Sequence, residues 1–527
     1  MKKLFTLAVF ALASLNIMAT DYKDNLQIEI NGKVVSNDQS TISVDQQEDG
    51  KYTLSLKNFQ FKMGIMPMKV GNIIITDVPG VSNGVNTMIK TSQEITITAG
   101  DSGKGWVGPG LGKVPVNMVG EIRENTFYTI ININMASMNQ QIKVTFGKDG
   151  YQIPNSDFEQ FHTASVSMVE GSEPSTSDEP NNWHSFMSAS GNPVLVYLAG
   201  YAPHTFISDE VRPGSTGKKS VKLLALDMGI AIANGTITTG RMNTGSTTAA
   251  ETDSNYAWMD TSKTDVDANG DPFYATLVSK PDSIKFWTRF NQGTHNAEHP
   301  YATCSAIITD GTRFQEPAPT NVTYTNIVGE ARNPQITETG KEWKEISIPF
   351  EYNNNGLSPK AILVTISTNA DAGQGSDRDS LYVDDLSLVY NAGLKSVKFK
   401  GENVDIIEKI KSGTVMNAGS YNLNDFVVEA NGAGAYVTKE IVDVYDPDFE
   451  VTTYELHITV TSGDLQTENQ YVVYINGGTP TGIKSITLPN GVQAIYNISG
   501  QKVSNMVPGQ VYIMKTTDGK TKKFIKK

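Results

Sequence analysis

The side chains of Trp287 and Arg289 have types and a spacing that could bind a sugar ring. They stand two residues apart in a strand-like run, so they share one face, while Phe286 and Phe290 take the other. An aromatic ring can stack on the apolar C–H face of a sugar, and a neighbouring guanidinium can donate hydrogen bonds to its hydroxyls. The alternative for each aromatic side chain is packing into a hydrophobic core.

A second aromatic pair, Tyr256 and Trp258, falls within a long polar stretch over residues 238–271. Such a stretch predicts a surface loop, in which both rings would be exposed. The same two interpretations apply here, since an aromatic residue more often packs in a core than binds a ligand. We therefore take Trp287, Arg289, Tyr256 and Trp258 as the candidate carbohydrate-binding residues.

Two further clusters of ligand-type residues lack the full pattern of a metal site. Residues 265–271 read DVDANGD, the first half of an EF-hand calcium loop, but the twelfth position is Thr276 and not Glu. His295 and His299 lack the Glu directly after the first His that a zinc helix requires, and Pro300 would interrupt the helix. A turn-rich loop and a pair of loop histidines are predicted.

Catalytic motifs give no positive signal. The chain has no Gly-x-Ser-x-Gly motif and no phosphate-binding glycine loop. Serine triads and carboxylate pairs stay open, because their members are distant in sequence. A net charge of −13 argues against nucleic-acid binding. The single cysteine, Cys304, cannot form an internal disulfide and is expected to be a small buried residue.

The elements that must position these residues are strands. The chain has 527 residues, a length that suggests three or four domains. Residues 20–148 alternate apolar and polar positions in short runs separated by turn residues such as Asn31 and Gly32. This pattern predicts a small antiparallel barrel, filled by side chains or holding one small apolar ligand. Residues 393–478 fit an immunoglobulin-like β-sandwich that acts as a spacer.

Five short stretches of the first segment carry a family resemblance. They are residues 56–59, 70–73, 106–109, 114–116 and 144–147. With them, residues 20–148 resemble the calycin-like (lipocalin-like) domain of exported proteins from Gram-negative bacteria. The resemblance implies a small β-barrel and carries no ligand with it.

The largest segment, residues 151–392, has strand-like runs between long polar loops, as in a two-sheet jelly roll. It resembles the jelly-roll domains of carbohydrate-binding modules, and in particular the carbohydrate metabolism domain family, whose name is provisional. The resemblance implies contact with saccharides without implying a reaction. It rests on residues 153–159, 182–186, 212–217, 279–287, 343–350 and 381–388.

That resemblance also implies a structural calcium ion where the first and last strands of the jelly roll lie side by side. Carried over to this chain, the main ligands would be Glu159 and Asp384, with Asp157 or Asp385 as weaker candidates. Asp384 and Asp385 should point to opposite faces, so both cannot bind the same ion. The alternative is a set of solvated carboxylates at the edge of a sheet.

The C-terminal segment reverses the charge of the chain. Residues 481–527 carry eight lysines against Asp518 alone, or +7, which with the +2 of Lys2 and Lys3 leaves −22 for residues 4–480. With runs at residues 494–503 and 509–514, residues 483–527 resemble the C-terminal sorting domain of type IX secretion. The resemblance implies the secretion machinery as a partner, and a terminal hairpin with solvating lysines is the alternative.

Residues 1–19 read as a secretory signal peptide with a basic start, an apolar run from Leu4 to Leu15 and small-residue cleavage after Ala19. No later stretch is long and apolar enough for a membrane span. The sequence therefore predicts an all-β, multidomain protein that is secreted or displayed on the outer membrane of a Gram-negative bacterium.

Its predicted function is non-catalytic glycan binding by the jelly roll. One alternative is a glycoside hydrolase or lyase with carboxylates in the jelly roll. The other is a structural adhesin or a small-ligand carrier that uses the N-terminal barrel.

Overall fold

The computed structural model of the chain describes residues 19–63, 66–101, 103–167, 173–446, 451–480, 492–497, 511–516 and 521–525. Strands dominate these residues, which confirms the all-β fold class. One α-helix occurs among them, α1 (Pro193–Tyr201), which begins where Asn192 Oδ1 accepts the Val194 N–H at 3.0 Å and Pro193 takes the first turn. No helix in this described part is long and apolar enough to cross a bilayer. The predicted signal peptide, apart from Ala19, lies outside it.

The N-terminal segment forms one antiparallel sheet of nine strands in the order β4-β3-β2-β1-β9-β8-β7-β6-β5. The strands are β1 (Thr20–Ile30), β2 (Lys33–Gln46), β3 (Tyr52–Met63), β4 (Met66–Val78), β5 (Gly80–Ser82), β6 (Thr87–Thr96), β7 (Lys113–Ile122), β8 (Phe127–Met135) and β9 (Gln140–Phe146). Alternate positions, such as Leu26 and Ile28, are buried, as period-two patterning predicts.

The sheet curls until β4 meets the chain after β6. Asn72 donates its N–H to Thr98 O at 2.9 Å, and Thr98 donates back to Asn72 O at 3.2 Å. Gly71, beside this bridge, has φ 131°, and a Cβ there would lie 2.1 Å from Thr98 O. Only glycine fits this close approach, so the curled sheet depends on it.

Residues 161–389 carry the next nineteen strands. They are β10 (Phe161–Val166), β11 (Ser175–Pro180), β12 (Ser190–Gly191), β13 (Thr205–Ser208), β14 (Ser220–Leu224), β15 (Leu226–Asp227), β16 (Ile232–Ala233), β17 (Thr236–Thr238), β18 (Arg241–Thr244), β19 (Asn255–Met259), β20 (Ala275–Thr276), β21 (Ser283–Asn291), β22 (Ala302–Thr309), β23 (Phe314–Glu316), β24 (Ile327–Ile336), β25 (Lys344–Pro349), β26 (Glu351–Tyr352), β27 (Ala361–Ser367) and β28 (Ser380–Val389).

Two of their sheets form a sandwich. The five-stranded sheet has the order β13-β14-β28-β21-β25, and the larger one has β17-β27-β22-β24-β26 with β20 also on β27. One buried cluster takes side chains from both sheets, including Phe286, Phe290 and Val383 from the first and Ile308 and Val364 from the second. Cys304 belongs to this core, fully buried and unbonded, as predicted.

A buried ion pair lies beside the sandwich core. Glu121 is fully buried and accepts Arg123 Nε at 2.6 Å, the Tyr151 hydroxyl at 3.1 Å and the Tyr436 hydroxyl at 2.5 Å. Burial, with the neighbouring carboxylate, raises the pKa of both phenols, so they stay protonated and keep donating. A buried carboxylate is tolerated only when its oxygens are bonded in this way.

The chain divides into two compact units. The first runs to Gly393 and also contains the short segments Asn431–Tyr436 and Thr461–Glu468. The second holds the remainder, with a three-stranded sheet β30-β29-β34 and a five-stranded sheet β31-β32-β37-β36-β35. The strands over residues 394–480 are β29 (Leu394–Phe399), β30 (Glu402–Asn403), β31 (Ile406–Ile407), β32 (Ser412–Val415), β33 (Gly419–Tyr421), β34 (Phe426–Ala430), β35 (Tyr436–Asp446), β36 (Val451–Thr461), β37 (Glu468–Ile475) and β38 (Gly478–Pro480).

Near the C-terminus, β39 (Val492–Asn497), β40 (Val511–Thr516) and β41 (Thr521–Ile525) form an antiparallel sheet. The predicted sorting segment therefore contains three strands, and its other residues lie outside the described ranges. The domain boundaries read from the sequence, and the sorting role itself, stay predictions.

Candidate functional site

A cavity of about 550 Å3 opens on the outer face of the five-stranded sheet. Its size falls in the range of about 300–1,000 Å3 that small-molecule sites occupy. Most of its lining is polar or charged. The lining residues are Ile153, Asn155, Ser156, Asp157, Arg212, Lys285, Trp287, Glu345, Asp385, Leu386 and Ser387.

Trp287 is the one aromatic side chain in this lining. The alternation of β21 buries Phe286 and Phe290 and leaves Trp287 and Arg289 half-buried on the opposite face, as the sequence predicted. The Arg212 guanidinium lies 5.5 Å from the centre of the Trp287 ring. A cation over one face of the indole fixes the ring's position and leaves its other surface for a ligand.

A β-bulge shapes the floor of the cavity. Lys285 pairs with Ser387 but Trp287 pairs with Asp384, so β28 carries one extra residue at this point. Asp385 has φ 44° there, and its half-buried carboxylate faces the cavity, whereas Asp384 is fully buried. The predicted opposite orientation of the two carboxylates stays a prediction, since both accept hydrogen bonds from Arg212.

Arg212 holds both carboxylates. Its Nε donates to Asp385 Oδ2 at 2.6 Å, and its backbone N–H donates to Asp384 Oδ2 at 2.8 Å. Ser215 Oγ adds a 3.0 Å hydrogen bond to Asp385. Burial raises the pKa of Asp384 to about 6, and the Asp385 charge adds to the effect. Arg212 was part of a family motif in the sequence, but its contact with Trp287 comes from a loop and is invisible to strand periodicity.

Arg289 lies outside the cavity lining. Its guanidinium lies 4.1 Å from the centre of the Tyr382 ring and 5.7 Å from that of Trp343, and Nη1 donates to Glu210 at 2.7 Å. These contacts occupy its charged group. The predicted pairing of Arg289 with Trp287 at one sugar therefore has no support in the geometry, although both side chains share a face.

Tyr256 and Trp258 are on β19, in a separate sheet of order β12-β18-β19-β23, and not in the loop that we predicted. The loop prediction was wrong because the strands are short and their polar residues face outward. Both rings are half-buried against Arg313, whose guanidinium is 5.9 Å from the Tyr256 ring and 4.7 Å from that of Trp258. They form a second aromatic surface that does not line the cavity.

Three of the four carboxylates proposed for calcium, those of Glu159, Asp384 and Asp385, accept hydrogen bonds from other residues. Glu159 Oε1 accepts the N–H groups of Lys218 at 2.8 Å and Lys219 at 2.9 Å, while Asp385 is bound to a guanidinium. No three of Glu159, Asp157, Asp384 and Asp385, all described residues, bring ligand atoms within 4.8 Å of one another. Calcium at this place stays a prediction without geometric support.

A different group converges, and the sequence did not reveal it. His162 on β10 pairs across the hairpin with Glu179 on β11, and Asp267 reaches them from the loop that resembled an EF-hand. His184, in the turn after β11, lies beside Asp267. We call His162, Glu179, His184 and Asp267 the histidine–carboxylate cluster. It is nearly or fully buried, since its side chains are exposed by 10% or less.

The other histidine pair behaves as predicted for loop histidines. His299 Nδ1 lies 2.7 Å from Asp371 Oδ2, and its backbone N–H donates to Asn296 Oδ1 at 3.2 Å. Neither histidine of this pair is in a group of three metal-ligand side chains among the described residues.

Comparison with known proteins identifies one domain. The model of the calycin-like β-barrel domain family matches residues 18–149, which confirms the resemblance of the N-terminal segment. No curated protein matches the chain.

Solved structures give distant likenesses only. A protein from Bacteroides thetaiotaomicron, described provisionally as a glycoside hydrolase, is 14% identical over 53% of this chain and 86% of its own, with a TM-score of 0.32. A carbohydrate-binding-module structure from the β-sandwich superfamily is 10% identical over 57% of this chain and 90% of its own, with a TM-score of 0.20. A provisional outer-membrane protein from Bacteroides fragilis is 11% identical over 66% and 96%, with a TM-score of 0.17.

Proposed function

We propose that the chain binds a glycan in the cavity beside Trp287 and performs no chemistry on it. The observation that carries the proposal is the half-buried indole, held by Arg212 at the wall of a polar cavity of about 550 Å3. Saccharide recognition needs a flat apolar surface together with donors and acceptors for hydroxyls. Lys285, Glu345 and Asn155 supply the polar groups around the ring.

A glycan array probed with the full chain tests this, with Trp287→Ala and Trp258→Ala compared on every glycan that the wild type binds. Loss of a central aromatic anchor costs about 2 kcal/mol or more, so Trp287→Ala should weaken binding by about 30-fold. Trp258→Ala is the matched control, because Trp258 is equally half-buried but lies on another sheet. Equal loss in both variants, or no bound glycan at all, would refute the proposal.

Hydrolysis is the rival, because Asp157, Glu345 and Asp385 line the same cavity. Glycosidases require two carboxyl groups, one of which keeps its proton in an apolar setting. Asp385 is bound to Arg212 at 2.6 Å, and Glu345 is bound to Lys285 at 2.8 Å. Two of the three carboxylates thus have cationic partners, which favours binding over catalysis. Reducing-end release from a polysaccharide panel, abolished by Asp157→Asn, would decide for the enzyme.

The N-terminal sheet is less suited to carry a ligand. Its interior cavity has only about 50 Å3, against roughly 300–1,000 Å3 for typical ligand sites. Its lining is almost entirely aliphatic, with residues such as Leu26, Ile42 and Val114. A structural or positioning role of the barrel is therefore the simpler proposal.

We further infer export and surface display. The support is the apolar start of the chain, the positive C-terminal segment after a negative body, and the three-stranded sheet formed by the described residues of that segment. Intact-mass analysis of the protein recovered from the surface of a Gram-negative host should show a mature form without residues 1–19 and without the segment after about residue 480. A soluble secreted form that retains Lys527 would contradict the sorting role.

A further inference from the structure

The histidine–carboxylate cluster is buried but lacks partners for the atoms that meet in it. His162 Nε2, Glu179 Oε2, Asp267 Oδ2 and both ring nitrogens of His184 have no hydrogen-bond partner. Buried polar atoms are almost always bonded, and an unpaired buried carboxylate is costly. Among the ion pairs of described residues, Glu179 and Asp267 meet only His162 and His184, never Lys or Arg.

The atoms that do not converge are, by contrast, well bonded. Glu179 Oε1 accepts the Ser185 N–H at 2.6 Å and both the Ser185 and Ser188 hydroxyls. Asp267 Oδ1 accepts the N–H groups of Asn269 at 2.9 Å and Asp271 at 2.8 Å. Each carboxylate therefore has one oxygen fixed by hydrogen bonds and one that faces only histidine nitrogens, at 3.3–3.7 Å.

His162 shows the same division. Its Nδ1 lies 3.2 Å from Asn181 Oδ1, a contact that places the proton on Nδ1 and leaves the lone pair on Nε2. Metal-binding histidines characteristically donate their second ring N–H to such a partner, which fixes the tautomer and the ring orientation. The free atoms of all three residues point to one place.

The spacing of these atoms suits a small cation. His162 Nε2 lies 3.7 Å from Glu179 Oε2 and 3.5 Å from Asp267 Oδ2, and His184 Nε2 lies 3.3 Å from Asp267 Oδ2. A tetrahedral zinc ion with ligands at about 2.0–2.2 Å separates neighbouring ligand atoms by roughly 3.4 Å. The observed distances bracket that value, although only His162, Glu179 and Asp267 lie mutually within 4.8 Å.

We propose that this cluster is a zinc site, with His162, Glu179 and Asp267 as ligands and His184 as the candidate fourth donor. Imidazole nitrogen and carboxylate oxygen are a set that zinc accepts, whereas calcium takes six to eight oxygens. Two carboxylates and two neutral imidazoles carry −2, which one divalent cation neutralises. The ion would tie the β10–β11 hairpin and the turn after it to the loop of residues 265–271.

Asp271 shows that this loop is already built to hold that position. Its carboxylate accepts the Asn182 N–H at 2.8 Å and Asn269 Nδ2 at 2.8 Å, so the loop is fastened to the turn that carries His184. The site is thus preorganised by hydrogen bonds that do not involve the free ligand atoms, which limits the ordering that metal binding must supply.

Zinc retention by the full, tag-free chain tests the proposal. The protein is stripped with chelator, incubated with excess ZnCl2, desalted and analysed for metal. Wild-type protein should retain about one zinc per chain, and competition with a fluorescent chelator should show affinity losses beyond about 100-fold in Glu179→Gln and Asp267→Asn. Asp265→Asn is the matched control from the same loop, because Asp265 pairs with Arg241 and lies outside the cluster.

Cobalt substitution adds a readout that a structural change alone would not give, because four-coordinate Co2+ has strong visible absorption that should vanish in Asp267→Asn and persist in Asp265→Asn. A wild type that retains no zinc overturns the proposal without reference to any variant. Equal zinc affinity of wild type and Asp267→Asn overturns it as well. Tighter binding of Ca2+ or Mn2+ than of zinc would overturn the choice of metal.

Discussion

The Trp287 cavity and the histidine–carboxylate cluster both contain several charged side chains, but they differ in whether the carboxylate oxygens have bonded partners. In the cavity, Asp385 binds Arg212 at 2.6 Å and Glu345 binds Lys285 at 2.8 Å. In the cluster, Glu179 Oε2 and Asp267 Oδ2 are buried without a hydrogen bond. The carboxylates of the open cavity have cationic partners, whereas the converging carboxylate oxygens of the buried cluster have no hydrogen-bond donor.

This difference separates two kinds of ligand. Charges that are already paired leave a surface suited to a neutral, hydroxyl-rich molecule, which exchanges hydrogen bonds with water on binding. Free ligand atoms in a buried position call for a cation, since their burial is otherwise unfavourable. The number of acidic side chains is similar at the two places, so their partners, and not their number, distinguish the two proposed functions.

Removal of metal by a chelator should have the largest effect, and it should lower the melting temperature without changing glycan affinity. Zinc at a thousand times its dissociation constant stabilises the native state by about 4 kcal/mol, so stripping it should lower the melting temperature by about 8–16 °C. Glycan affinity at Trp287 should not change, because no cluster residue lines that cavity. Melting curves and glycan titrations with and without chelator measure both. A chelator that abolished glycan binding but left the melting temperature constant would reverse our assignment.

The next effect concerns the buried carboxyl under the cavity. Burial raises the pKa of Asp384 to about 6 from its ordinary value near 4, so the carboxyl stabilises the fold fully below about pH 4 and that contribution is lost as the pH rises through 6. Asp384→Asn should therefore match wild type at pH 4 and exceed its stability at pH 8 by up to about 3 kcal/mol. Urea unfolding at the two pH values measures this. A variant that is equally destabilised at both would show that the charge of Asp384 is already satisfied.

Replacing Arg212 tests whether the paired state of the cavity matters. Arg212→Met removes the hydrogen bond to Asp385 and the cation over Trp287, and should cost about 2 kcal/mol of stability together with glycan affinity. Arg289→Met is the control, because Arg289 also stacks on aromatic rings but does not line the cavity. The control should lose stability and keep binding; loss of binding in both would remove the special role of the Trp287 wall.

The smallest effect is expected for Asp265→Asn. Asp265 binds Arg241 at 2.9 Å on a partly exposed surface, with 44% of its side chain accessible. Exposed ion pairs contribute about 0–1 kcal/mol, so stability measured by urea unfolding should fall by less than that. A larger loss would mean that the loop of residues 265–271 depends on this pair, and the comparison with Asp267→Asn would need a different control.

Periodicity was enough to predict the strand that carries the cavity. The alternation in residues 283–290 predicted that Trp287 and Arg289 share a face, and β21 shows it. It could not predict that the Arg289 guanidinium would pack against the Tyr382 and Trp343 rings, because those residues come from other parts of the chain. Nor does a strand pattern reveal the bulge that presents Asp385.

The histidine–carboxylate cluster could not be predicted from the sequence for a related reason. Its four residues come from two short strands, a turn and a loop, so no motif of fixed spacing joins them. Residues 173–182 are all polar or proline, although β11 within them pairs Glu179 with His162. Asp267 was noticed for its likeness to a calcium loop, but its true neighbours are histidines. Predicting the cluster would have required the register of the β10–β11 hairpin, which depends on tertiary packing.

The hydrogen bond from the Tyr436 hydroxyl to Glu121 limits where the polypeptide can be truncated. Tyr436 comes after a boundary that looks clean in the sequence, yet it belongs to the first compact unit. A polypeptide terminated at Gly393 would leave Glu121 with only Arg123 and Tyr151. A chain that ended near residue 393 would therefore lack one of the three donors to this buried carboxylate and should be less stable than the full chain.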